Sequence, residues 1–405
     1  MAAFKHHAWL LFALCLLFGS ALGAPPKESD FTPADIDGGK ALTSLNQMAS
    51  TNTDAITPKK MRRQAGKCNK ANLRVRRERT LPKPDRKAYI AAVKCLQTKP
   101  SLLGASVPGS KSLFDDFVAI HLQQTGNIHL SGTFLTWHRY FTYAYEQRLR
   151  NDCGYKGDFP YWEWGLDIKN PAASPVFDGS DTSLGGNGEA IPHQGLILTE
   201  PFNPDALIPL PPGSGGGCVK TGPFATMTVH LGPVALAQYG TTVTSSVPSP
   251  LNDNPRCLKR DLNAGVASKW TTFRNTTQLI LQNPTVELFQ GILQGDPRYV
   301  RQALGVHGGG HFTIGGDPGG DPFISPGDPA FWVHHAQVDR VYWIWQMLDF
   351  ANRQGVFGTG TFLNFPPSAN VTVEDFIDLG PLAPRVKIKE VMNTVGGGPL
   401  CYVYA

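Results

Sequence analysis

Charged residues make up only 17% of the 405-residue chain, and the formal net charge is a modest +5. No stretch interleaves basic with aromatic residues on one face, which argues against a nucleic-acid partner. The apolar run from Ala8 to Gly19 is too short to span a bilayer, so no membrane anchor is expected. There is no C-x-x-C pair, no HExxH and no Glu-x-x-His. These absences speak against a cysteine zinc site, a zinc protease that uses the HExxH glutamate, and a carboxylate-bound di-iron bundle. No internal repeat is visible.

What is present at the N-terminus reads as an export route. Lys5-His6-His7, the apolar run and Ser20-Ala21-Leu22-Gly23 form a secretory signal over residues 1–23. Residues 24–63 are polar and almost free of aromatics, and they end in KKMRRQ. That composition predicts a propeptide without a core of its own, cut by a processing protease at Arg62-Arg63. Residues 64–405 are then the mature catalytic domain. Outside the signal the cysteines are Cys68, Cys95, Cys153, Cys218, Cys257 and Cys401. An even number in a secreted chain predicts three disulfides, and fifteen pairings stay open. Asn275 and Asn370 open sequons, so a secreted, extracellular glycoprotein is expected.

Histidine carries the chemistry. Seven of the nine outside the signal fall in two groups: His121, His129 and His138, then His307, His311, His334 and His335. In VHGGGHF, His307 and His311 lie four apart and face the same way on a helix. The three glycines between them cost a helix about 1 kcal/mol each relative to alanine. Open access of a ligand to the metal would explain them. Further on, Asp328 reads as an N-cap and Pro329 as the first residue of a helix. Adjacent helix residues diverge by about 100°, so only one of His334 and His335 is expected at the metal; periodicity does not choose. His121 and His138 sit on two more helices, and Gly126 and Gly132 bracket a loop holding His129. The result is a mainly α fold, a four-helix bundle enclosing a dinuclear site, with long loops and a few short strands. Paired all-imidazole sites without acid or thiolate suit copper, and two copper ions that bind oxygen are the best physical reading. Residues 165–265, rich in Gly and Pro, read as surface loops pinned by Cys218 and Cys257.

With HLSGTFLTWHRYF, HGGGH and DPAFWVHHAQVDRVYWIWQ on one chain, the sequence resembles the type-3 copper proteins: tyrosinases, catechol oxidases and haemocyanins. RTLPKPDRKAYIAAVKCL and the ending CYVYA are similar to short secreted fungal polyphenol oxidases. The resemblance implies His121, His129 and His138 on one copper and His307, His311 and His335 on the other, with His334 behind them. It implies that Asp339 accepts a hydrogen bond from a ligand imidazole. It implies that Tyr402-Val403-Tyr404 closes the core, with no lid domain beyond. No cysteine stands near His129, so the thioether found in many relatives is unavailable. Several efficient tyrosinases pair an asparagine after the first ligand of the second site with a glutamate. Here the asparagine position is Gly308, and Gln302 is the candidate for the glutamate, a far poorer proton acceptor. Pro322, thirteen before His335, falls at the gate position next to Phe323, and Phe312 is placed to stack on a phenol. The expected activity is oxidation of o-diphenols to o-quinones by dioxygen, with weak monophenol hydroxylation. A true tyrosinase and an o-aminophenol oxidase are the alternatives, ahead of an oxygen carrier or a metal-storage protein. Small phenols and dioxygen are the expected partners.

Overall fold

The computed structural model describes residues 24–56, 68, 73–78, 80–238, 241–243, 246–396 and 398–405. The signal segment and the dibasic pair lie outside these. Six helices organise the rest: α1 (Lys40–Ile56), α2 (Lys83–Leu96), α3 (Leu113–Ile128), α4 (Phe134–Cys153), α5 (Gly305–Ile314) and α6 (Ala330–Leu348).

Each helix of the expected bundle has a local cause. Ser112 caps α3 by accepting the Asp115 N–H at 3.3 Å, and Asp115 and Asp116 sit in its first turn, where the helix dipole favours acids. α4 stops at Gly154, whose φ of 69° is the left-handed conformation glycine tolerates. α5 runs between Gly305 and Gly315, both at positive φ. α6 begins one residue later than expected, at Ala330. Asp328 still caps it, accepting the Ala330 N–H at 2.8 Å while Arg260 grips the same carboxylate at 2.7 Å. Every residue of α6 is buried, so it is the central post against which the others pack.

The tail of the chain closes the core through a parallel three-stranded sheet. Tyr402–Tyr404 pairs with Arg74–Glu78, which pairs in turn with Phe159–Tyr161. Of the fifteen possible pairings, the cysteines form Cys68–Cys401, Cys95–Cys153 and Cys218–Cys257. Residues 165–265 are more ordered than plain loops: antiparallel ribbons run through them, the longest pairing β1 (Leu196–Glu200) with β2 (Asn203–Leu210).

Residues 24–63 are expected to have no core of their own; of these, 24–56 instead add side chains to the core of the body. α1 buries Leu42, Leu45 and Ala49, an apolar stripe at helical spacing that low overall hydrophobicity conceals. Asn46 accepts a hydrogen bond from Arg340 of α6 at 3.0 Å, and the Asn52 amide donates to the Met347 carbonyl at 2.9 Å. Asp37 binds Arg274 through both oxygens, at 2.7 and 2.6 Å. Among the described residues no helix is long and apolar enough to cross a membrane.

Candidate metal centre

The bundle brings both histidine groups together. His121 projects from α3, His138 from α4, and His307 and His311 from α5, while His334 and His335 come from α6. His129 differs from expectation. It is the C-cap of α3, in extended conformation, and Gly126 lies inside the helix rather than at the head of a loop. In the first group the ring centroids are 5.1, 5.7 and 5.0 Å apart. In the second, His311 Nε2 lies 3.2 Å from His307 Nε2 and 3.1 Å from His335 Nε2. The groups abut, with His138 stacked on His335 at 4.7 Å and His129 on His307 at 5.9 Å.

Backbone carbonyls set the tautomers. Nδ1–H of His121 donates to Phe323 O at 2.9 Å, that of His129 to Thr125 O at 3.2 Å and that of His138 to Phe134 O at 2.9 Å. Each bond leaves Nε2 with a free lone pair. The Nε2 atoms of His121 and His138 are buried with no hydrogen-bond partner, an arrangement that is costly unless a metal takes the lone pairs. Burial, reinforced by mutual repulsion, holds His121, His138, His307 and His335 well below the ordinary pKa. Burial takes His129 to about 4 and His311 to about 3. Neutral imidazoles are the ligand form, and no carboxylate joins either group among the described residues. This donor set fits a pair of copper ions.

The model for the common central domain of tyrosinase matches residues 111–348. The chain belongs to the tyrosinase family. Tyrosinase P of Aspergillus terreus is 39% identical over 329 residues, covering 80% of this chain and 89% of that one. N-acetyl-6-hydroxytryptophan oxidase of Emericella nidulans is 36% identical over 382 residues, covering 90% and 99%. A glycine-to-asparagine mutant of the polyphenol oxidase from Thermothelomyces thermophila has a structure that superposes with a TM-score of 0.82. It is 45% identical, with 90% of this chain and 98% of that chain covered. Tyrosinase-family proteins carry a dinuclear copper centre, and the two groups of imidazoles are where this chain would hold it.

Within this tyrosinase-family centre the choice between the paired histidines is geometric. His335 points its Nε2 at His311, whereas His334, although in the same cluster, uses its Nδ1 to accept the Trp164 indole N–H at 3.1 Å. The glycines of HGGGH serve packing more than access. A Cβ on Gly310 would run into the His334 ring, and one on Gly309 would come within 2.6 Å of Trp270 Cβ. Gly308 is the least crowded of the three, a Cβ there meeting Leu304 Cβ at 3.3 Å, which a small shift of that side chain would relieve.

Three positions assigned from the resemblance sit differently. Asp339 receives no imidazole. Its carboxylate accepts from Arg139 at 2.5 Å, Arg76 at 3.1 Å, Tyr402 at 2.5 Å and Tyr404 at 2.7 Å. Burial opposes its ionisation, but Arg139 and Arg76 outweigh that and hold its pKa below the ordinary value. Gln302 is exposed and turned to β2, its amide donating to the Leu207 carbonyl at 3.1 Å; a left-handed backbone with φ of 50° sends it there. Phe312 packs against the cluster of Ile208, Leu210, Val266 and Leu304, because it lies about 100° round α5 from His311. Pro322 is exposed beside Phe323, whose carbonyl holds His121, so that stretch does border the site. Sequence reasoning missed Arg76 and Arg139. Arg139 follows His138, and its burial among apolar neighbours on α4 was the available signal.

Proposed function

We propose that this tyrosinase-family oxidase is a catechol oxidase. His121, His129 and His138 would hold one copper, and His307, His311 and His335 the other. When bound, the pair supplies two-electron oxidation coupled to dioxygen reduction. The chain orients the imidazoles through carbonyls and walls the site with Phe134, Phe331 and Trp137. The observation that carries the diphenol reading is Gly308. It is half-exposed beside His307 and has no side chain to hold a water, and no carboxylate among the described residues shares the imidazole cluster as a proton acceptor. An o-diphenol needs less help to deprotonate than a monophenol.

Oxygen uptake by the copper-loaded protein tests this, with an o-diphenol and then the matching monophenol. Fast uptake with the first and slow, lagging uptake with the second is expected, and Gly308→Asn should raise the monophenol rate. Equal rates in the parent protein would make it a true tyrosinase. Uptake with o-aminophenols alone would make it an aminophenol oxidase, and reversible oxygen binding without quinone a carrier.

Secretion is part of the proposal. Three disulfides suit an oxidising compartment, reached by removal of residues 1–23. Scission at Arg62-Arg63 would leave residues 24–56 docked on α6 instead of releasing a propeptide. Asn370 is exposed, while the Asn275 amide already donates to Lys269 O at 2.9 Å, so Asn370 is the accessible glycan acceptor. Peptide mapping with and without glycosidase checks that assignment.

A further inference from the structure

Among the described residues, five non-glycine residues have a left-handed backbone: Leu130, Phe202, Gln302, Leu363 and Asn364. They belong to one connected patch. The Leu363 N–H donates to Leu130 O at 3.1 Å, and Leu130 follows His129. Gln302 donates its N–H to Glu200, at the end of β1, and its amide to Leu207 of β2. Phe202 occupies the turn between those strands. Surroundings must hold each such residue out of its preferred backbone region, and residues of this kind cluster at ligand-binding rims.

The patch is also aromatic and open. Phe202 is 66% and Phe365 67% exposed, where large apolar side chains are normally covered. Phe202 meets Phe365 at 5.6 Å and Phe362 at 6.3 Å, edge to face, which leaves ring faces free. Phe362 precedes Leu363, so the aromatic rim stands one hydrogen bond from the residue after His129.

We propose that this rim is a second subsite that takes the distal ring of a two-ring phenol while its o-diphenol ring lies at the histidine pair. The inference rests on the catechol oxidase reading. A one-ring phenol at the imidazoles has no use for phenylalanines on the β1–β2 turn. A second aryl group on a short spacer meets them edge to face, in the arrangement these rings already adopt with one another.

The test compares catechol with catechols bearing a phenyl group on spacers of one to four methylenes, using the copper-loaded full chain and its Phe202→Ala/Phe365→Ala variant. The best two-ring substrate should have a KM about 10-fold below that of catechol, and the variant should lose most of that preference. Both kcat and KM for catechol should stay unchanged. A preference that survives the variant overturns the subsite, as does a KM rise shared equally by catechol. A fall in native mass on size exclusion would also overturn it, since the rim would then be a contact between copies of this chain. If the parent oxidises neither substrate, the catechol oxidase reading fails by itself. Calorimetric titration with a 4-(phenylalkyl)benzoic acid then decides the rim, weaker binding by the variant being expected and equal binding overturning it.

Discussion

At the scale of single residues, the site is governed by how closely α5 approaches its neighbours. Gly310→Ala would press a methyl into the buried His334 ring, and overpacking of this kind costs about 1–3 kcal/mol. A lower melting temperature and reduced copper content are expected, whereas Gly308→Ala should retain both. Asp339→Ala would strip buried Arg139 of its carboxylate partner and leave buried Arg76 with Glu146, 3.0 Å away, so the charge left uncompensated is that of Arg139. Leaving buried charges uncompensated costs about 3–5 kcal/mol, readable as a shift in the denaturation midpoint. Because Arg139 follows His138, copper affinity should fall as well. Were Asp339→Ala to melt like the parent, the network would be dispensable.

At the scale of elements, α1 and α6 form the least expected partnership. Leu45 is fully buried, and placing an ionised carboxylate there has a penalty of about 3 kcal/mol or more. In a chain with a protease recognition sequence inserted after Arg63, the cut N-terminal fragment should co-elute with the body on native size exclusion. It should separate in denaturant, and Leu45→Asp should release it without denaturant. A fragment lost from the unmutated body would show that the α1–α6 contacts are too weak to hold without covalent linkage. The register of α6 explains why so much hangs on it: one face carries His335 and, one turn on, Asp339, while Arg340, about 100° round from Asp339, binds both Asn46 and Glu163.

At the scale of the whole molecule, burying so many neutral imidazoles couples stability to pH. The six ring pKa values at the centre lie below the ordinary 6.5, His129 at about 4 and His311 at about 3. Below pH 6.5 the unfolded chain therefore binds more protons than the folded one, and stability falls as pH falls. For the metal-free protein, the melting temperature should be steady above about pH 7 and decline from there toward pH 4. A flat profile between pH 7 and 4 would mean these imidazoles are hydrated. With copper bound, protons compete with the metal for the same nitrogens, so metal loss should accompany the decline.

The sequence by itself determined the metal-binding residue type, the two groups, the helices that carry them and the family resemblance. Those rest on local spacing and on the lone-pair chemistry of imidazole, which need no fold to be read. Helical periodicity left His334 and His335 open and the resemblance implied His335; only the tertiary structure gave the physical reason, because Trp164, far away in the chain, occupies His334 Nδ1. It also paired the cysteines, gave Asp339 to two arginines and two tyrosines, turned Gln302 outward and docked residues 24–56 on α6. Each of these depends on a partner distant in sequence or on a backbone angle imposed by surroundings, and neither is encoded in local pattern.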